Sequence, residues 1–415
     1  MQVKDLVLRK RMLIPILIVI FFCLSFVVDS PRNLWNGYVN ILKSESILVT
    51  DYLAIGGLGA TLFNVATILL FNYLIIIHLM KLKITGPIFA GLLSIIGFSF
   101  FGKNIFNTIP IYLGIFIYAK AVKTPQRNFI LSYLFATGLS PVVSYFYFGI
   151  DIPIALAIFL GTVIGVFVGF TVPSLAAHTI KFSQGYNILN TGFALGVISV
   201  MITSILNTIG IQIEVNDITT DKYHNFLLGL LILISCLYLI SSFIIDNKAI
   251  YRYKKILHKS GRLVTDFIRD NDHAPTQINI ALMGFLCVLL VIIFDIKITG
   301  PVFGSIIACM GFSAYGAHIK NTTPVILGVI LMTLFSNVNF DNTRYVVTLF
   351  FSFGLAPIAG RYGFFAGLLS GVCCTFISRT TVGFQGGLCL YNTGFSAGFI
   401  AAIIIPVIES FRKEI

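Results

Sequence analysis

The chain has 415 residues, 57% of them hydrophobic and only 11% charged, with a formal net charge of +12. A soluble domain carries about 25% charged residues and needs a polar skin, so a soluble globular fold is excluded. Apolar runs of about 17 to 22 residues recur from end to end, which is the spacing of helices crossing a hydrocarbon core about 30 Å thick.

The runs predict fourteen helical segments, over roughly 12–28, 53–80, 84–101, 104–119, 129–148, 152–173, 185–206, 226–245, 278–296, 298–316, 321–337, 345–360, 362–378 and 384–407. The expected fold class is therefore an all-α integral membrane protein. Transmembrane barrels alternate apolar and polar residues in segments of roughly ten, and these runs do not alternate. The first run follows a basic stretch, MQVKDLVLRKR, with no small-residue cleavage site behind it, so it reads as an uncleaved first helix.

Charge placement gives an orientation. With the N-terminus inside, 21 of the 28 Lys and Arg residues fall on the cytoplasmic side. Among them are Arg9, Lys10, Arg11, Lys81, Lys83, Lys413 and seven between Lys248 and Arg269. This is the positive-inside bias, and it places both termini on the cytoplasmic side of the membrane. It also explains the basic balance without a nucleic-acid partner.

The next signal is a repeat. KITGP occurs at Lys83–Pro87 and again at Lys297–Pro301. Asn107-Thr108-x-Pro110 matches Asn321-Thr322-x-Pro324, and GLSP at Gly138–Pro141 matches GLAP at Gly354–Pro357. FSQGYNILNTGFALG from Phe182 matches FQGGLCLYNTGFSAG from Phe384. The chain thus divides into a first membrane repeat, 1–210, and a second, 224–415, which includes a cytoplasmic basic linker over 246–276. Seven crossings separate the two KITGP copies, and an odd number turns the second copy upside down. If one pair of short spans in each half is a re-entrant hairpin, seven becomes five and the inversion survives. Inverted-topology repeats are a recurrent build of secondary transporters.

Thr-Gly-Pro is a helix-start signal, with Thr85 or Thr299 as N-cap and Gly86-Pro87 or Gly300-Pro301 opening the helix. Broken helices in matching positions point to a transporter site, and their N-termini favour an anion or a carbonyl oxygen. An ordinary helix start at the interface, with Lys83 and Lys297 reaching headgroups, is the competing reading. In the NTGF pair, Asn190, Thr191 and Phe193 match Asn392, Thr393 and Phe395. The amides sit inside apolar spans, where an unpaired one costs several kcal/mol. They either bond a neighbouring helix or line a solute slot with aromatic walls. The expectation is that Asn190, Asn392, Thr85 and Thr299 face one central cavity, with Phe193 and Phe395 on its walls.

The glycine stripes at Gly161, Gly165 and Gly169, and at Gly367 and Gly371, predict close helix packing. Apolar residues at helical spacing within Asn247–Asp272 predict an amphipathic basic helix lying on the anionic cytoplasmic leaflet. The seven cysteines all fall in apolar runs without metal or redox spacing. No metal or cofactor is expected. Nor does a buried carboxylate or histidine relay appear, which favours a facilitator, a channel-like protein or Na⁺ coupling. Catalytic motifs are missing as well, so no enzymatic activity is expected.

On these residues the whole chain resembles a family of bacterial multipass proteins that carry two copies of a domain of unknown function. NILNTGFALGVIS and LYNTGFSAGFIAA are also faintly similar to inverted-repeat urea channels. The expected function is a transporter or channel-like permease for a small polar or anionic solute. The alternatives are a membrane enzyme or lipid-handling protein with a one-sided polar pocket, or a membrane sensor or scaffold. The expected partners are the lipid bilayer and the solute, with self-association into a homo-oligomer left open.

Overall fold

A computed structural model describes residues 4–215, 217–336 and 339–412, so Lys413 lies outside the described residues. A π-helical turn at Lys4–Arg9 leads into α1 (Ile14–Val28) and α2 (Pro31–Leu42). The chain continues as α3 (Tyr52–Leu74, prolonged by a π turn to Leu79), α4 (Gly86–Phe98), α5 (Ile105–Ala121), α6 (Ile130–Phe135) and α7 (Ser140–Phe148). Two long helices, α8 (Ile154–Phe182) and α9 (Asn190–Thr208), close the first half. The second half holds α10 (His224–Ile245), α11 (Ala249–Ile256), α12 (Phe267–Asn271), α13 (His273–Ile293), α14 (Gly300–Phe312) and α15 (Ile319–Phe335). It ends with α16 (Thr343–Phe351), α17 (Ala356–Tyr362), α18 (Phe364–Phe384) and α19 (Asn392–Arg412).

Each of the fourteen expected segments coincides with a helix or with a helix broken in its middle. Among the described residues nine helical stretches are long and apolar enough to cross a membrane, and α1 with α2 forms a tenth candidate bent by 116°. Four apolar helices are shorter: α4, α5, α14 and α15. At 13 residues each, α4 and α14 are only about 20 Å long and fall short of a full crossing. The expected spans 84–101 and 298–316 are therefore half-helices.

The two halves repeat one another in hydrogen-bonding detail. Asn64 on α3 donates from Nδ2 to the carbonyls of Ser99 (2.8 Å) and Lys103 (3.0 Å), just past α4. Asn279 on α13 does the same to Ser313 (2.7 Å) and Ala317 (2.8 Å), just past α14. Asn104 and Asn107 form a capping box at the start of α5, and His318 and Asn321 form its counterpart at α15. The break inside α3 at Gly57 (φ 80°, ψ 177°) has its equivalent at Asp272 (φ 78°, ψ 168°), between α12 and α13.

That equivalence corrects the linker. The expected single helix over 247–272 is two short ones, α11 and α12, separated where Gly261 takes a left-handed φ of +81° and touches Gly316. Its apolar side does not lie free for lipid. Ala249, Tyr253, Ile256 and Phe267 pack against Ala274 and Ile278 of α13, although Ile250 and Val264 stay exposed. The segment belongs to the second unit, as the counterpart of α2 and the first turn of α3. Short, amphipathic α2, which sequence reading left out, is its sign.

The half-helices α4 and α14 pack directly on each other at the centre. A Cβ on Gly97 would lie 2.3 Å from the Gly304 carbonyl oxygen, and one on Gly311 would lie 2.7 Å from Leu93 Cβ and 3.2 Å from the Ala90 carbonyl oxygen. The end of each helix thus meets the beginning of the other, so they run antiparallel. The glycine stripes serve as expected: a Cβ on Gly169 would sit 2.0 Å from the Ile111 carbonyl oxygen, and one on Gly371 2.0 Å from that of Val325. The seven cysteines are all free.

Candidate functional site

The Thr-Gly-Pro starts come first, because their backbone N–H groups were expected to receive a solute. They are already occupied. The Asp266 carboxylate, from the second half, accepts from Gly86 N at 3.1 Å and from Arg269 N at 3.1 Å. Asp51, from the first half, accepts from Gly300 N (3.0 Å) and Thr220 N (3.3 Å) on one oxygen and from Leu53 N (2.9 Å) on the other. Each half therefore caps the broken helix of the other with a buried carboxylate, which satisfies the orphan donors and the positive helix end. An anion at these N-termini would have to displace an internal one. Sequence reading missed both aspartates. The available signal was their separation of 215 positions, close to the 214 of KITGP.

The single cavity expected for Asn190, Asn392, Thr85 and Thr299 is not formed. Thr299 is buried and caps its own helix at Val302 N (3.5 Å), and Thr85 borders a basic recess with Arg9, Lys10, Arg11, Lys81 and Lys83. Gly86 and Gly300 are packed against the capping aspartates.

The NTGF helices do come together. A Cβ on Gly394 would stand 3.1 Å from Gly192 Cα, so α9 and α19 begin side by side. The Phe193 and Phe395 rings stack at 5.5 Å, and each fills the space left by a glycine of the other helix, Gly398 and Gly196. They seal the crossing instead of lining a slot, and both are nearly fully buried. Beyond it the helices part. Ser199 on α9 bonds the Gln385 carbonyl ahead of α19 (3.1 Å), while Ala397, Ile400 and Ile404 on α19 pack with Tyr186 ahead of α9. Two helices thus start at one place and leave in opposite directions.

The non-helical stretches before them are pinned by the GLSP and GLAP turns. Tight turns at Ala136–Leu139 and Ser352–Leu355 leave the Gly138 and Gly354 carbonyls free, and these accept from Leu390 N and Ile188 N at 3.0 Å each. Asn187 crosses the crossing point as well, donating to the Gly394 carbonyl at 2.9 Å.

A cavity lies on each side of this crossing. The first, of about 110 Å³, is mostly apolar and is bordered by Pro87, Leu131, Ile180, Asn190, Thr191 and Tyr391. The second, of about 200 Å³, is bordered by Arg344, Thr375, Ser378, Arg379, Val382 and Asn392. Asn190 and Asn392 hold equivalent places in different cavities, 202 positions apart, as do Ile180 and Val382. Tyr391 borders one cavity and its chain neighbour Asn392 the other, so the two cavities approach the same short segment at the start of α19.

Polar atoms around the crossing are under-bonded. Asn190 Nδ2 donates to the Ala176 carbonyl at 3.1 Å, but its Oδ1 is buried without a partner among the described residues. Thr203 Oγ1 and both amide atoms of Gln385 are in the same condition. Buried polar groups are almost always paired, so these atoms leave unused hydrogen-bonding capacity at the crossing. Asn392 Oδ1 accepts from Thr393 N at 2.8 Å, whereas its Nδ2 donates to no atom among the described residues. Arg344, Arg379, Thr375, Ser378 and Tyr391 were not foreseen as site residues.

Fold and site together define an all-helical membrane protein built from two copies of one unit that meet at a shared crossing. The chain belongs to the family described as "Protein of unknown function (DUF1576)", which matches residues 30–208 and again 245–410. Both matched stretches begin after the first helix of their half, at α2 and at α11. No curated protein and no solved structure matches the chain, and the likeness to urea channels gains no support.

Proposed function

We propose that the chain is a multi-spanning permease of the bacterial inner membrane, with both termini cytoplasmic, that moves a small polar or anionic solute through the crossing of α9 and α19. One observation carries this reading: the adjacent residues Tyr391 and Asn392 border two different cavities. The antiparallel contact of α4 and α14 supports an inverted relation of the two units in the membrane, and such a relation gives two alternative mouths to one path. Under this arrangement the apolar cavity faces the cytoplasm, beside Leu263 and Val264, and the polar one faces outward, beside Arg344 and Arg379.

The reading is tested by flux into proteoliposomes. Asn392→Leu removes the free amide from the polar cavity and should abolish uptake while protein abundance stays near normal. Asn190→Leu also breaks the bond to Ala176, so it should lower abundance modestly as well as flux. Wild-type rates in both variants would remove the crossing from the solute path.

A further inference from the structure

The two cavities are equivalent in position and opposite in chemistry. Where the second has Arg344, Thr375, Ser378 and Arg379, the first unit has Asn128, Pro173, Ala176 and Ala177. The alignment is fixed by structure. Gly165 touches Pro110 as Gly367 touches Pro324, and the turns at 136–139 and 352–355 coincide. Duplicated scaffolding has been kept while one copy alone carries the cations.

Their location runs against the charge pattern of the chain. Only seven of the 28 Lys and Arg residues fall on the outer side in the sequence reading, and two of the seven border this cavity. Positive-inside bias cannot account for them, since it would put them on the other face. Arg344 is half engaged: its Nε donates to Asp217 at 2.7 Å, and a second guanidinium nitrogen reaches the Val215 carbonyl at 3.1 Å. Arg379 has no ion pair among the described residues and is exposed at the rim. Deeper in, Thr348, Thr375, Ser378 and Asn392 are each at most 5% exposed. The Thr348 and Thr375 hydroxyls are bonded to carbonyls of their own helices, whereas the buried Asn392 amide keeps an unused donor. The cavity lining holds two guanidinium groups and no carboxylate, and Asp217 pairs with one of them, Arg344.

Resting on the permease reading, we propose that this cavity is the outer entry site for a small oxyanion, a carboxylate, sulfate or phosphate. Arg379 and Arg344 receive the charge at the rim, and Asn392 Nδ2 donates to it at the floor. Planar guanidinium groups match carboxylate and oxyanion geometry bidentately, which a neutral solute would not exploit. The uncharged first cavity then releases the anion, because nothing there holds it.

The test is thermal unfolding of the purified full chain in detergent, titrated with sodium acetate, sulfate and phosphate, with sodium chloride at matched ionic strength and urea as controls. A ligand of the folded state raises the melting temperature by mass action. At least one oxyanion should do so saturably, while urea does not. Arg379→Ala, a rim change with little to unfold, should raise the half-saturating concentration about tenfold or more, and Arg379→Lys should restore part of it. No stabilisation beyond chloride by any of the three anions, or equal titrations for wild type and Arg379→Ala, would overturn the proposal. The two readings fail differently. Anion binding that needs Arg379 but gives no flux would leave the site standing without the permease. Flux of a neutral solute without anion binding would leave the permease without this site.

Discussion

Replacing each capping aspartate by asparagine separates two geometries that look alike. Asp51 uses both carboxylate oxygens: Oδ1 for Leu53 N, and Oδ2 for Gly300 N and Thr220 N. Asparagine offers one oxygen, so Asp51→Asn must set an NH₂ group against either its own helix start or the N-terminus of α14. A hydrogen bond to a charged group is worth about 1.5–3 kcal/mol, and the lost charge at a helix end adds about 0.3–1 kcal/mol. Together these put the cost of Asp51→Asn at about 2–4 kcal/mol. Asp266 instead accepts both of its bonds on Oδ1, at 3.1 Å each. An asparagine there can keep both, and only the charge is lost, for a cost of about 1 kcal/mol or less. Unfolding in mixed micelles titrated with sodium dodecyl sulfate should therefore rank wild type above Asp266→Asn, and Asp266→Asn well above Asp51→Asn. Equal midpoints for the two variants, or an Asp51→Asn protein as stable as wild type, would refute the reciprocal capping as a source of stability.

Two further outcomes follow from the packing and the charges. Gly304→Ala places a methyl 2.3 Å from the Gly97 carbonyl oxygen, so α4 and α14 must move apart at a cost of about 1–3 kcal/mol, read as a lower unfolding midpoint; an unchanged midpoint would contradict their contact. At the basic end, burial pushes the Asp272 carboxyl up, but the His273 N–H and the Arg9 guanidinium (3.0 Å) outweigh it and hold it below the usual carboxylate range. A carboxyl depressed in the folded state contributes stability that is present above its unfolded value of about 4 and is lost as the pH falls through its folded value. Melting temperature should thus drop on acidification below about pH 4 by less in Asp272→Asn than in wild type, and identical pH profiles would remove this contribution.

The sequence shows the helical inventory because hydropathy and helix-start chemistry are local. Every apolar run became a helix, and Thr-Gly-Pro does open α4 and α14. What it hides is of two kinds. Helix α2 is short and amphipathic, with Arg32, Asn33, Trp35 and Asn36 near its start, so no apolar run marks it. The linker has helical spacing throughout, yet Gly261 breaks it through a contact with Gly316, 55 positions away. The second kind concerns partners distant in the chain. Asp51 meets Gly300 across 249 positions, and from the sequence nothing pairs them except the repeat itself. NTGF was legible as a meeting point of the two halves. Its phenylalanines read as cavity walls in the sequence because their glycine sockets, Gly398 and Gly196, lie on the opposite helix. Arg344 and Arg379 read as loop charges, since their shared cavity exists only once α16 and α18 are packed together.

The inverted relation of the two units in the membrane is most directly tested by single-cysteine labelling at Lys83 and Lys297, the exposed residues that introduce the two half-helices. In a background with the seven native cysteines replaced by serine or alanine, Lys83→Cys should react with a membrane-impermeant maleimide only in inside-out vesicles, and Lys297→Cys only in right-side-out vesicles. Labelling of both from the same side would contradict the inversion and, with it, the two-mouthed path through the crossing of α9 and α19.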